Sequence, residues 1–129
     1  AQVILPLLKT DFLKIINACA YQKLNTVSLE ISSKYAVGIV CASQGYPDEF
    51  SVGYKIYNLD QIKDCLVFHA GTKREGNDIL TSGGRVLTVV GLANTMQGAL
   101  EKALAGAQVV DFENKYYRKD IGSDLLMMM

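Results

Sequence analysis

The run Tyr35-Ala36-Val37-Gly38-Ile39-Val40-Cys41-Ala42-Ser43 carries no formal charge over nine residues, and nothing else in the chain limits its fold as much. Its length and β-branched content favour a strand covered on both faces. A second run, Arg85-Val86-Leu87-Thr88-Val89-Val90-Gly91, is as strongly β-forming and follows directly on Gly83-Gly84. Two such strands need helices to cover them, and the spacing of apolar residues predicts two. Leu8, Phe12, Ile15, Ile16 and Cys19 recur at three- and four-residue steps, giving an amphipathic helix over residues 8–20, with Pro6 where a first turn tolerates a missing N–H. Asn94 or Thr95 can cap a helix to about Ala105, with Met96, Ala99, Leu100, Ala103 and Leu104 along one side.

The remaining segments are shorter. Gln44-Gly45-Tyr46-Pro47-Asp48 reads as a turn. Residues 52–57 and 66–70 each suit a short strand, and so do residues 109–112. Lys73-Arg74-Glu75-Gly76-Asn77-Asp78 forms a polar tip between Val67-Phe68 and Ile79-Leu80, the pattern of a hairpin. The expected fold is α+β: one small mixed domain with a mostly antiparallel sheet and two flanking helices. Residues 1–122 make up the domain, and residues 123–129, ending Met127-Met128-Met129, read as a frayed tail.

Thirteen Lys plus Arg balance thirteen Asp plus Glu, which argues against a nucleic-acid or anionic-membrane binder, whose affinity needs clustered cations. Any anion site must therefore be local. Cys19, Cys41 and Cys65 are an odd, scattered set in apolar surroundings, as reduced cytoplasmic thiols would be. With one histidine and no CxxC, a zinc site does not fit. Apolar stretches stay under ten residues, too short to span a membrane as a helix.

Three corners carry the candidate chemistry. Phe68-His69-Ala70-Gly71-Thr72, Thr81-Ser82-Gly83-Gly84-Arg85 and Tyr117-Arg118-Lys119-Asp120-Ile121-Gly122 each set a cation or an imidazole beside glycine. Glycine lets backbone approach a ligand closely, and arginine grips anions through paired hydrogen bonds. One charge-assisted contact from Arg85 contributes about 1.5–3 kcal/mol. Each corner also has a plainer reading: a diglycine bend with a surface arginine, a solvated charge run at Arg118-Lys119-Asp120, and a hydrogen-bonded structural histidine at His69.

Taken in order, these corners resemble the C-terminal region of the phosphoribosylamine–glycine ligase (glycinamide ribonucleotide synthetase) family, within the ATP-grasp superfamily. The resemblance runs from Gln2-Val3-Ile4-Leu5-Pro6-Leu7-Leu8-Lys9-Thr10-Asp11, through Ala42-Ser43-Gln44-Gly45-Tyr46-Pro47, Val67-Phe68-His69-Ala70-Gly71-Thr72 and Thr81-Ser82-Gly83-Gly84-Arg85-Val86-Leu87, to Tyr117-Arg118-Lys119-Asp120-Ile121-Gly122. It departs from the family at Asp48-Glu49-Phe50, where a Gly-Asp-Tyr type of sequence is usual, and at Ser123-Asp124.

What the resemblance implies is an ATP-dependent ligase of purine synthesis, joining glycine to 5-phosphoribosylamine to give glycinamide ribonucleotide. ATP and Mg2+ would be bound by an N-terminal ATP-grasp domain absent from this chain. The family signature Arg-Phe-Gly-Asp-Pro-Glu-x-Gln would end at Gln2, so its metal-binding glutamate falls upstream of Ala1. Arg85, Arg118 and Lys119 would face the ribose phosphate, while His69, Gly71, Thr72, Gly83 and Gly84 would shape the groove floor. Leu7, Leu8 and Lys9 would lie at the junction with the missing domain. No catalytic residue or metal ligand is expected within the chain, and the piece alone is expected to be inactive. The run Val3 to Lys9 hints at a multifunctional parent. Two other readings stand beside this one: a non-catalytic binding domain that kept the fold, and a biotinyl- or lipoyl-carrier-like hairpin with Lys73 at its tip.

Overall fold

A computed structural model describes residues 1–128. Its elements are α1 (Phe12–Ala20), β1 (Tyr35–Ser43), β2 (Cys65–His69), β3 (Thr72–Glu75), β4 (Asp78–Thr81), β5 (Arg85–Ala93), α2 (Met96–Val109), β6 (Lys115–Tyr116) and α3 (Ser123–Met128). One sheet has the order β2-β5-β1-β6, antiparallel throughout, and β3-β4 forms a separate two-stranded ribbon. This is the expected α+β class.

The two long apolar runs are the centre of the sheet. Ile39 pairs with Val89 and Cys41 with Leu87, and Val67 of β2 pairs with Val89. Directly opposed residues share a face, and this face packs under α2 through Ala99, Leu100, Ala103 and Ala107. Thr95 starts α2 by accepting a hydrogen bond from the Gly98 N–H at 3.1 Å. The helix runs one turn past the predicted end, to Val109. There the Lys115 ammonium donates to the carbonyls of Ala107, Gln108 and Val110, which the last turn leaves without N–H partners.

Several expectations are corrected. Only one face of β1 is covered in full; on the other, Val3 reaches Gly38 while Val40 stays 40% exposed. Val67-Phe68 does not form the hairpin, because the chain breaks at Ala70-Gly71 and β2 joins β5 instead. The hairpin is β3-β4, turning at Gly76, where φ is +58°. Residues 52–57 and 109–112 contribute isolated bridges, Lys55 to Leu80 and Tyr57 to Asp111, in place of strands. The first helix begins at Phe12 because the Asp11 carboxylate accepts from the Lys14 N–H at 2.9 Å, and Pro6 opens a separate single 3-10 turn, Leu5–Leu7. Residues 123–128 are helical, with Leu126 against the core.

One irregularity positions the site. The β1-β5 register slips between Cys41, opposite Leu87, and Ala42, opposite Arg85, leaving Val86 as an extra residue. Val86 and Leu87 are consecutive, and both are fully buried. Without the slip Arg85 would oppose Ser43, on the face of Cys41 and α2. The bulge turns it to the open face instead, beside Val40.

Ile39 is fully buried where β1, β5 and α2 meet. Ile39→Ala is expected to lower unfolding free energy by about 2–5 kcal/mol, read from urea denaturation at an unchanged m-value.

Candidate functional site

The first two glycine corners are a single knot. The Gly71 N–H donates to the Arg85 carbonyl at 2.8 Å, and the Ser82 N–H donates to the Gly71 carbonyl at 2.7 Å. A Cβ at Gly71 would stand 2.7 Å from both Gly83 Cα and the Arg85 carbonyl oxygen, so only glycine allows these backbones to touch. Ser43, buried at the end of β1, fastens the knot to the sheet. Its N–H donates to the Gly84 carbonyl at 2.8 Å and its hydroxyl to the Gly83 carbonyl at 3.2 Å. The N–H groups of Gly83 and Gly84 have no acceptor among the described residues.

Two adjoining hollows open on the uncovered face of the sheet. One, of about 480 Å³, is lined by Gln2, Val40, Tyr46, Gly71, Gly84 and Arg85, among others. The second, of about 270 Å³, has an apolar floor of Val40, Ala42 and Ile121 between Tyr46 and Tyr116, with Arg85 and Arg118 at its edge. Val40, Tyr46 and Arg85 line both and so make up the divide. Arg85 and Arg118, far apart in sequence, thus border one depression.

The two arginines are not equivalent. Arg118 is engaged by Asp120, its Nε donating to Oδ1 at 3.0 Å and its Nη2 to Oδ2 at 2.5 Å. Those hydrogen bonds hold the Asp120 carboxyl below its ordinary pKa and raise that of Arg118. The pair is well exposed, so it adds little to stability, yet a ligand must compete with it for Arg118. Arg85 has no ion-pair or hydrogen-bond partner for its guanidinium among the described residues, and is the free cation of the site.

The other expected residues fall outside these hollows. Lys119 lines a separate depression beside α2, with Glu101, Leu104 and Tyr117, because Arg118 and Lys119 point to different sides of an extended segment. His69 Nδ1 lies 3.0 Å from Thr72 Oγ1, a local bond between exposed groups that bridges the Gly71 bend. Gly83 touches Gly71. Tyr46 lines both hollows, where the sequence points to a rigid turn whose backbone, rather than its ring, borders a groove. Its signal lies in Gly45-Tyr46-Pro47, where Pro47 fixes the backbone just after the ring and Gly45 permits the positive φ of the turn before it.

Among the described residues no three His, Cys, Asp or Glu side chains are grouped to hold a metal ion. No described helix is long and apolar enough to cross a membrane.

A family model described as "Phosphoribosylglycinamide synthetase, C domain" matches residues 36–124. The chain belongs to this family. Among its relatives, the phosphoribosylamine–glycine ligase of Caldanaerobacter subterraneus subsp. tengcongensis is 46% identical over 122 residues, covering 95% of this chain and 29% of that protein. A bifunctional purine biosynthetic protein of Dictyostelium discoideum is 41% identical over 129 residues, covering 97% of this chain and 16% of that one. The crystal structure of phosphoribosylamine–glycine ligase from Thermotoga maritima superposes with a TM-score of 0.71 at 30% identity, over 92% of this chain and 29% of that one. Phosphoribosylglycinamide synthetase C domains therefore share this fold, and the chain spans under a third of the length of these relatives. Residues 1–35 lie outside the family model. In the same segment α1 leaves Phe12, Leu13 and Ile16 about half exposed or more, with Ala18 its one buried residue.

The cysteines offer no nucleophile to the site. Burial pushes the Cys41 thiol up to about 11, against a smaller opposing pull from the Lys115 ammonium, and burial likewise raises Cys65, whose Sγ donates to the Lys102 carbonyl. Since the thiolate is the reactive form, a thiol reagent at pH 8 is expected to label exposed Cys19 quickly and Cys41 only on unfolding. Because the folded-state pKa of Cys41 lies above its ordinary 9.0, its contribution to stability is whole below pH 9 and is lost as pH rises toward 11.

Proposed function

We propose that this domain supplies one wall of the sugar-phosphate site in an ATP-dependent ligase that joins glycine to 5-phosphoribosylamine, giving glycinamide ribonucleotide in purine synthesis. The observation that carries the reading is that Arg85, free of any internal partner, and Gln2 line the same hollow. Gln2 matches the last residue of the family signature, so the signature's glutamate, one residue before Ala1, would stand beside that hollow. The names of the relatives support the activity.

In this reading the Arg85 guanidinium grips the 5-phosphate through paired hydrogen bonds, and the unpaired N–H group of Gly84, which lines the same hollow, adds a neutral donor. Holding the phosphate fixes the far end of the substrate, so its amine reaches an activated glycyl carbonyl without a further loss of orientational freedom. The amine nitrogen forms the new C–N bond as phosphate leaves the acyl carbon. ATP and Mg2+ are assigned to the remainder of the parent. That remainder also accounts for the exposed apolar side of α1, which it would cover as the N-terminal ATP-grasp partner. The isolated domain would then be inactive. Three free thiols suit a cytoplasmic parent, and the Dictyostelium relative is consistent with a multifunctional one.

In the full-length ligase, Arg85→Ala is expected to raise KM for phosphoribosylamine by about ten- to a hundredfold, equivalent to 1.5–3 kcal/mol, with KM for ATP within about twofold. Arg118→Ala should cost less, since Asp120 already occupies its guanidinium. Equal losses for both substrates on Arg85→Ala would show that the residue holds the domain in place, and would overturn the reading.

A further inference from the structure

The ring of Tyr46 is seated on the second glycine of the diglycine corner. A Cβ at Gly84 would stand 2.0 Å from Tyr46 Cδ2, 2.7 Å from Cε2 and 2.9 Å from Cγ. Such contacts are impossible for a real side chain, so Gly84 exists to admit this ring. The ring is fixed from its other sides as well. The Tyr46 backbone N–H donates to the Ser43 carbonyl at 3.1 Å, the Asp48 N–H donates to the Gly45 carbonyl at 2.8 Å and closes the turn, and Phe50 packs edge-on against the ring at a centroid distance of 6.0 Å. Ser43 holds both the turn and the Gly83-Gly84 carbonyls, so ring and corner share one anchor. Tyr46 as a residue nevertheless stays 42% exposed and lines both hollows beside Arg85. A tyrosine held this firmly, yet left facing solvent next to an unpaired guanidinium, does more than fill a core.

We infer that Tyr46 is a positioning residue: its ring forms the wall between the two hollows and keeps the Arg85 guanidinium over the polar one, where a sugar phosphate binds. This rests on the sugar-phosphate reading above and adds a further residue to it. Arg85 springs from a bulged strand end and has no carboxylate to hold it. Without the ring the two hollows merge, and the guanidinium is free to sample the apolar side. The wall also sets a specificity, since the ligand's anionic end is confined to the side of Gly71 and Gly84 and kept off the apolar floor. Packing supplies the restraint, so the aromatic body is required and the phenolic hydroxyl is not.

The chain has three arginines, Arg74, Arg85 and Arg118, so their side-chain Nε–H signals are resolvable by NMR in the chain itself. In the wild type the Arg85 signal is expected at a dispersed position. In Tyr46→Ala it should collapse to that of a free arginine while the Arg118 signal stays put, and Tyr46→Phe should restore it. Gly84→Ala should reproduce Tyr46→Ala, because the new Cβ evicts the ring, and the double variant should be no worse than either single one. Titration with ribose 5-phosphate should give a Kd at least tenfold weaker for Tyr46→Ala and within twofold of wild type for Tyr46→Phe. If Tyr46→Ala does not melt cooperatively, Tyr46→Leu takes its place, with the same Arg85 signal as readout. An Arg85 signal and a Kd unmoved by loss of the ring, while Arg85→Ala abolishes binding, would overturn this inference alone. Failure of Arg85→Ala to weaken binding would overturn the sugar-phosphate reading, and the Arg85 signal would still decide whether the ring restrains it.

Discussion

The antiparallel pairing of β1 with β5 holds this molecule together, and a one-residue slip in that pairing decides where its chemistry can occur. Over most of its length the pair is regular, with one face buried under α2. Near the Ser43 end the strand gains Val86 as an extra residue, and two successive apolar side chains turn inward. The cost is local pairing; the result is that the following cation points away from the core. Everything at the site is arranged round that reversal. The diglycine sits just before it, the Gly71 bend hydrogen-bonds across it, and Ser43 pins its carbonyls. A charged residue at a regular position there would have had to be buried under a helix, at a desolvation cost that no nearby carboxylate offsets.

Much of the framework was legible in the sequence because it is written in uninterrupted apolar runs. Residues 35–43 and 85–91 announce strands by length and β-branching, and Asn94-Thr95 announces the start of α2, with Thr95 as the cap. The failures have physical causes. Tyr35–Ser43 is apolar on both faces, which suggests double coverage, but its second face serves as the floor of the hollows and is only partly capped by Val3. Thr72–Glu75 is polar throughout and gives no alternating signal, so the apolar Val67-Phe68 reads as the hairpin arm that β3 provides. Of residues 109–112, Val109 closes α2 and the rest leave it in extended form without acquiring a ladder.

The site was legible in kind and not in detail. Glycine beside arginine marked the Gly83-Gly84-Arg85 corner, and Arg118 does reach the same depression. Sequence proximity misleads at Lys119, since adjacent residues of an extended segment face opposite ways. It also misled about the glycines, whose main work is to let Gly71 and Gly83 touch and to make room for Tyr46. Contacts between residues forty positions apart leave no trace in local pattern. The bulge is likewise silent, because Val86-Leu87 reads as ordinary strand.

The ammonium of Lys115 has a mechanical consequence. It spans the closing carbonyls of α2 from β6, the strand beside β1, while the Lys102 ammonium ties the middle of the same helix to the Leu92 carbonyl on β5. Helix and sheet are thus bolted at two separated points, which forbids sliding of one layer over the other. The two layers therefore move as one body, and the Arg85 corner, carried at the end of β5, keeps its shape when that body turns, like a jaw that does not bend.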